Sequence, residues 1–461
     1  MQTTEYLSRS PQDPDDVLVA APLVEPATVV DVVERAREAQ GQWSALPAPA
    51  RANALNRAAE RLDEASMEIV ELGIREVGKP RTEMVAEVAR GVAILRYYAQ
   101  QVLDPDGATF PPSDGRSLLV ARRRPHGVVG LITPWNFPVA IPLWKAAPAL
   151  AYGNAVVLKP ARQALATALR VGQLVFEGLP DGLFNVIAAG SAAAEALIGS
   201  VDAISFTGSV DVGRGVVARA SSYGIPVQAE MGGQNPSIIL EDADLGRAAD
   251  AVASAAMSYA GQKCTATSRV IVVGDPAAFT DALVTSVEKL PFGDPGEAST
   301  VVGPVIDEGA RQAVLEAASG ARSAGGRIVT GGTAAGSKGW FVQPTLVEGI
   351  SPDAELAQNE VFGPIAVLLP APDVDQAVAI ANGVAFGLSA AVFTTDLDRA
   401  LAVSGRLAAG MVRVNAPTSG VDFYAPFGGI KGSSYGPREQ GKAAREFYTW
   451  TQTVTVSPAR G

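Results

Sequence analysis

Residues Val128-Val129-Gly130-Leu131-Ile132-Thr133 form an uncharged, β-branched run that stops at Pro134. A run this short, ended by a breaker, reads as a buried strand. The same texture returns at 155–158, 184–187, 203–206 and 237–240. Helical spacing fills the gaps, at 164–176, 192–198 and 212–220. Strands alternating with helices require a parallel sheet covered on both faces, an architecture of the dinucleotide-binding kind. The predicted fold class is α/β.

A second α/β pattern follows residue 264. Strands at 269–273, 327–329, 341–346, 365–369 and 391–394 alternate with helices near 277–288, 310–323, 375–381 and 398–407. Upstream, the first 25 or so residues are rich in Pro and Asp and read as irregular. Pro26-Ala27-Thr28 starts a helix with Thr28 as a candidate N-cap, and Gly41 ends its pattern. Further helices fall at 50–76 and 82–102, the latter with Val85, Val88, Val92 and Leu95 on one side. Residues 105–115 are turn-rich, 117–123 extended, and 451–456 extended again. The triplet Arg122-Arg123-Arg124 suits either a solvated face or pairing with acids of another subunit.

With 461 residues, 48% hydrophobic and 18% charged, the chain is globular and long enough for about two or three domains. A net charge of −11 disfavours a general nucleic-acid partner. The single cysteine, Cys264, cannot make an internal disulfide, so nothing requires an oxidising compartment. The first 14 residues lack the basic start and apolar core of a signal peptide. The most apolar stretch, 128–158, is interrupted by Pro134, Asn136, Pro138, Pro142, Lys145, Pro148 and Asn154, so no membrane span is expected. These features suit a cytoplasmic enzyme. The single histidine, His126, weighs against a Ser-His triad, and no metal is expected.

Four stretches can carry chemistry. Gly261-Gln262-Lys263-Cys264-Thr265 holds the lone thiol, which suits a nucleophile or an inert core residue. Thr133-Pro134-Trp135-Asn136-Phe137-Pro138 follows a strand, and the Asn136 amide suits an oxyanion donor or an Asn-turn. Phe206-Thr207-Gly208-Ser209, with Gly213, stands where strand gives way to helix. It fits a phosphate cradle or a plain turn. Glu230-Met231-Gly232-Gly233 ends a strand at 225–229, and Glu230 suits a general base or a solvated loop acid.

Asn136, Lys159, residues 208–213, Glu230 and Cys264 occur in an order that closely resembles the aldehyde dehydrogenase superfamily. Glu360-Val361-Phe362-Gly363-Pro364 and Pro426-Phe427-Gly428-Gly429 extend the resemblance over nearly the whole chain. It implies a Rossmann-like cofactor domain (1–104 and 126–232), an α/β catalytic domain (233–446) and a small β oligomerisation arm (105–125 and 447–461). It also implies a homodimer or homotetramer, and NAD(P)-dependent oxidation of a small aldehyde to an acid.

By that resemblance, Cys264 attacks the aldehyde, Asn136 and the Cys264 N–H hold the oxyanion, and Glu230 activates water on the thioester. Glu439 matches a proton-relay carboxylate and Lys145 a lysine near the nucleophile. Thr133, Pro134, Trp135, Lys159, Phe206, Thr207, Gly208, Ser209, Gly213, Met231, Glu360 and Phe362 match cofactor contacts. The presence of Glu230 favours hydrolysis over acyl transfer to coenzyme A. Arg162 departs from the family's usual glutamate; it loses a ribose 2′-hydroxyl acceptor and suits a 2′-phosphate, so NADP is expected over NAD. The alternative is that Arg162 points to solvent and decides nothing.

Residues 414–441 are similar to α-ketoglutaric semialdehyde dehydrogenases. Arg90 matches a substrate-tunnel position, where an arginine can grip a carboxylate, or else lies on a surface helix. Phe137, Trp144 and Phe427 match aromatic tunnel positions, which would also accept uncharged aldehydes. A non-enzymatic relative is the competing class. The resemblance further implies strands before residue 26 that so short an N-terminal segment leaves in doubt.

Overall fold

The computed structural model describes residues 5–336 and 338–459. Val128–Thr133 is a strand buried at all six positions. It lies inside a six-stranded sheet ordered Ser434–Tyr435, Val227–Glu230, Ala203–Thr207, Val128–Thr133, Ala155–Pro160 and Phe184–Val186. Every pairing is parallel except the first, in which Ser434 stands opposite Glu230. The uncharged run therefore does become a central strand, as double burial demands.

The helix Ala140–Ala151 fills the crossover from this strand to the next, and all twelve of its residues are buried. Its two prolines had disguised it. Pro142 lies in the first turn, where no N–H is needed, while Pro148 gives up one interior bond.

A seven-stranded sheet holds Arg327–Thr330, Thr345–Glu348, Ile365–Ala371, Thr267–Val273, Asn235–Ile239, Ser389–Phe393 and Met411–Val414, in that order. Only Arg327–Thr330 runs antiparallel to its neighbour. A third sheet, of three antiparallel strands, pairs Leu118–Pro125 with both Thr449–Val456 and Gly107–Phe110. Here Arg122 donates to Gln452 Oε1 at 3.0 Å and Arg123 pairs with Glu446 at 2.6 Å. Both arginines thus have acceptors within the chain.

Several local expectations need correction. The N-terminal segment is not irregular: Glu5–Arg9 and Val17–Pro22 form an antiparallel hairpin. Its polar residues hide it, because Ser8 is buried and donates to Glu76 Oε1 at 2.6 Å. The Glu76 carboxylate also accepts from Ala166 N, Thr167 N and Thr167 Oγ1. It thereby ties the hairpin to the start of helix Leu165–Val175.

The first helix, Pro26–Ala45, starts beyond Glu25 rather than at Thr28, and it runs through Gly41. The expected helix at 50–76 is two, Ala48–Glu64 and Ser66–Val77, broken at Ala65. Val85 is exposed, because its helix Arg81–Gln101 turns Met84, Glu87 and Val88 inward instead. Residues 107–110 pair as an arm strand, and 341–346 is split, since Pro344 cannot donate to a ladder. Among the described residues no helix is long and apolar enough to cross a membrane.

Candidate active site

Cys264 sits on the loop between helix Leu245–Met257 and strand Thr267–Val273. The chain reaches it through three successive residues with positive φ: Tyr259 (52°), Ala260 (53°) and Gly261 (66°). The first two pay for this conformation, which side chains disfavour. Buried partners hold it in place. Tyr259 Oη donates to Val77 O, and the Gln262 side chain bonds Tyr259 O, Pro304 O and Ile306 N. On the far side, Asn235 Nδ2 donates to the carbonyls of Cys264 and Ala266, both at 2.8 Å. Gln262 and Asn235 therefore fix the thiol loop. Sequence reading gave them no role, because a buried amide looks like any other polar residue until its partners are known.

Asn136 is buried rather than exposed as its proline-flanked setting suggests. Its Nδ2 donates to Gln262 O at 3.0 Å, which ties it to the thiol loop and leaves its second amide hydrogen over. Its own carbonyl accepts from Lys79 Nζ at 2.9 Å. Lys79 is fully buried, lies over the Phe137 ring at 3.4 Å and pairs with Glu87 at 2.5 Å. Glu87 also accepts from Val139 N and Ala140 N, capping the helix that follows. Burial pushes the Lys79 ammonium down, and the charges of Glu87 and Glu83 partly restore it.

Glu230 ends its strand fully buried. Its Oε2 accepts from Ser434 Oγ at 2.5 Å, while Oε1 has no partner. Burial drives its carboxyl well above the usual range, and the neighbouring Glu439 charge adds to the rise. Glu439 is paired with Lys145 and accepts from Trp144 Nε1 at 2.8 Å. Lys145 in turn donates to Ser205 Oγ at 2.7 Å. Glu360 packs so tightly on Gly232 that a Cβ there would overlap its carboxylate, and it accepts from Gly233 N at 3.0 Å. Burial lifts it to about 7.

The Cys264 thiol is pushed far up, by burial first and then by the charges of Glu360, Glu230 and Glu439. Both effects favour the protonated thiol over the thiolate. A reactive thiolate needs positive charge brought to this spot.

A cleft opens beside Cys264. It has a volume of about 210 Å³ and is lined by Arg90, Phe137, Trp144, Phe427 and Cys264, among others. On helix Arg81–Gln101, residues Glu83, Ala86, Glu87 and Arg90 all face it, at the spacing of a single helix face. Arg90 has no hydrogen bond or ion pair among the described residues, while Glu83 is matched to Lys263 at 2.7 Å.

A second set of polar groups lies along the six-stranded sheet. Thr133 Oγ1 and Thr207 Oγ1 are buried without partners there. Lys159, at the end of Ala155–Pro160, has no partner among the described residues, and burial lowers its ammonium. Helix Val210–Tyr223 starts at Ser209 with no side-chain cap. Unpaired donors around a helix N-terminus fit the hydroxyls and phosphates of a dinucleotide.

Gly213 and Gly208 keep their surroundings tight. A Cβ on either would strike Met231 or the Phe206 ring. Trp135 stands edge-on to Phe362, with centroids 5.7 Å apart. Arg162 is exposed, with Asp307 at 4.0 Å. Pro134 follows Thr133 at the end of its strand.

A thiol, an amide and a buried carboxylate facing a dinucleotide-type sheet define a thiol-dependent oxidoreductase. The chain belongs to the aldehyde dehydrogenase family, whose model matches residues 2–454. Over 459 residues it is 39% identical to an α-ketoglutaric semialdehyde dehydrogenase of Bacillus subtilis, covering 97% of this chain and 94% of that protein. An NAD-dependent aldehyde dehydrogenase of Sinorhizobium meliloti superposes with a TM-score of 0.95 at 33% identity, covering 99% of this chain and 92% of that one. An NADP-dependent enzyme of E. coli matches with a TM-score of 0.95 at 32% identity, covering 98% and 95%. The family's substrates are aldehydes and its cofactor is NAD(P).

Proposed function

We propose that the protein oxidises an ω-carboxylated semialdehyde, such as 2,5-dioxopentanoate, to the corresponding diacid. The observation that carries this reading is Arg90: a guanidinium with no partner among the described residues, on the wall of the cleft that ends at Cys264. An unpaired cation beside aromatic walls suits a ligand with an apolar middle and an anionic end. The Bacillus relative's name agrees with that chemistry.

In the reaction, the Cys264 thiolate adds to the aldehyde carbon. The Asn136 amide and the Cys264 backbone N–H hold the oxyanion. The nicotinamide, when bound, supplies the hydride acceptor, and the sulfur is left acylated. Glu230 takes a proton from water as the oxygen adds to the thioester. The C–S bond then breaks and the carboxylic acid leaves, with the thiolate restored. Glu439, held by Lys145 and Trp144, is the next carboxylate to which that proton can move.

Residues 1–104 and 126–232 would bind the dinucleotide, with Thr133, Thr207, Lys159 and Glu360 as hydroxyl and ribose partners. Residues 233–446 would carry the nucleophile. Arg162, exposed and only loosely matched to Asp307, is free to meet a 2′-phosphate, so NADP is the proposed cofactor. The arm, residues 105–125 and 447–461, has an unpaired edge at Thr449–Val456, and Trp450, Leu118 and Phe110 are exposed. These suit a homodimer or homotetramer. A reduced Cys264 suits the cytoplasm.

The test is the initial rate of cofactor reduction with 2,5-dioxopentanoate, 5-oxopentanoate, hexanal and benzaldehyde, each with NAD and NADP. Arg90→Met should raise KM for the two acids by about 10- to 100-fold and leave hexanal little changed. An unchanged ratio of acids to hexanal would sink the carboxylate reading. Arg162→Gln should cost NADP, but not NAD, about three- to fivefold in KM, a modest effect because the site is exposed.

A further inference from the structure

Gln440 lines the same cleft as Cys264 and Arg90. It is 2% exposed, and its Oε1 has no hydrogen-bond partner. Its backbone adopts φ 61° and ψ 171°, a conformation that is essentially glycine's alone. Neighbouring bonds impose it. Glu439 exchanges both backbone bonds with Phe427, Gly441 N donates to Phe423 O, and Gly441 O accepts from Tyr98 Oη. A glycine at 440 would meet this geometry without strain, whereas here a long amide is held in it, on a residue that lines the cleft.

The other polar groups on the cleft wall are largely matched. Glu83 pairs with Lys263, and Glu87 with Lys79 and two backbone amides. Among the described residues that leaves one cation, Arg90, one neutral amide, Gln440, and the hydroxyls of Thr265 and Ser419. A ligand complementary to Arg90 and Gln440 carries a carboxylate and, near it, a neutral oxygen able to hydrogen bond. The amide can present either its N–H₂ or its oxygen, because its two ends exchange by a rotation.

We propose that Gln440 is a specificity-determining residue that hydrogen bonds a carbonyl or hydroxyl oxygen on the carbon chain between the aldehyde and the carboxylate. This rests on the carboxylated-substrate reading above. It adds that the chain of the substrate is itself oxygenated. An unmet buried amide penalises substrates that lack the matching group.

The experiment compares kcat/KM for 2,5-dioxopentanoate and 5-oxopentanoate, each divided by that for hexanal on the same protein. The wild type, Gln440→Leu, Gln440→Gly and Arg90→Met are measured. The wild type should favour the oxo acid by about 10- to 100-fold. Both Gln440 variants should bring that preference near unity, mainly through KM. Arg90→Met should lower both acids against hexanal and keep the oxo preference. Gln440→Gly relieves the backbone, so it remains informative if the leucine variant folds poorly. A wild type with no oxo preference, or Gln440 variants that keep it, would overturn the proposal. So would variants that lower all three aldehydes in parallel, as a merely structural role would. If Arg90→Met alone leaves the acid-to-hexanal ratio unchanged, the carboxylate reading fails and the Gln440 result still stands or falls by the oxo preference.

Discussion

The sheet-side groups and the cleft at Cys264 are built by different means. On the sheet side, main chain does most of the positioning: Glu360 rests on Gly232 and Gly233, and Glu230 sits in register with Ser434. Its open valences are small and polar, on Thr133, Thr207 and Lys159. On the cleft side, side chains from separate elements converge: Arg90 from a helix, Phe137 from the loop after Val128–Thr133, and Phe427 and Gln440 from the C-terminal region. The first design suits a ligand whose shape is constant. The second can change its preference with one or two substitutions and leave the fold alone.

Three measurements sharpen this contrast. The largest effect belongs to Glu230. Glu230→Gln should cut steady-state turnover by about 10²- to 10⁴-fold for every aldehyde, since the base acts after the substrate's tail has been read. A burst of one reduced cofactor per active site should survive in rapid mixing. Near-normal steady-state turnover would remove Glu230 from deacylation, and a lost burst would move it to activation of the thiol.

Asn136→Ala comes next. Losing one oxyanion donor costs on the order of 10²- to 10³-fold in kcat. Because Asn136 also ties down Gln262, the variant should lose some thermal stability as well. Equal losses on hexanal and on the acids would assign Asn136 to chemistry, and unequal losses would assign it to the cleft.

The smallest effect concerns Glu360. With its carboxyl lifted to about 7, it is largely neutral below that pH and charged above it. A carboxylate accepts hydrogen bonds from ribose hydroxyls better than an acid does. Cofactor binding should therefore tighten about tenfold from pH 6 to pH 8 and then level off, releasing protons as it does so. Fluorescence titration across that range should show the slope, and Glu360→Gln should flatten it. A slope that persists in the glutamine variant would point to another group.

Much of this was legible in the chain. The strand at 128–133 could be read directly, because an uncharged run is a local signal, and the order of the motifs around Asn136, Glu230 and Cys264 carried the family resemblance. What escaped depends on partners distant in sequence. The N-terminal hairpin hides its burial behind Ser8, whose partner Glu76 lies 68 residues away. The helix at 140–151 hides behind prolines, one in its first turn and one that gives up a single interior bond. Gln262, Asn235 and Gln440 are amides whose value lies in which carbonyl, or which empty space, they face.

Cys264 stands alone in the chain, and this shapes how the protein ages. A peroxide that reaches its sulfur makes a sulfenic acid with no second cysteine in the same chain to trap it as a disulfide. Unless an external small thiol captures the sulfenic acid first, further oxidation to the sulfinic and sulfonic acids is irreversible. The surroundings that favour the protonated sulfur therefore also shield it, since the thiolate is the form that peroxide attacks. Exposure to oxidants is greatest when the site has been charged for turnover.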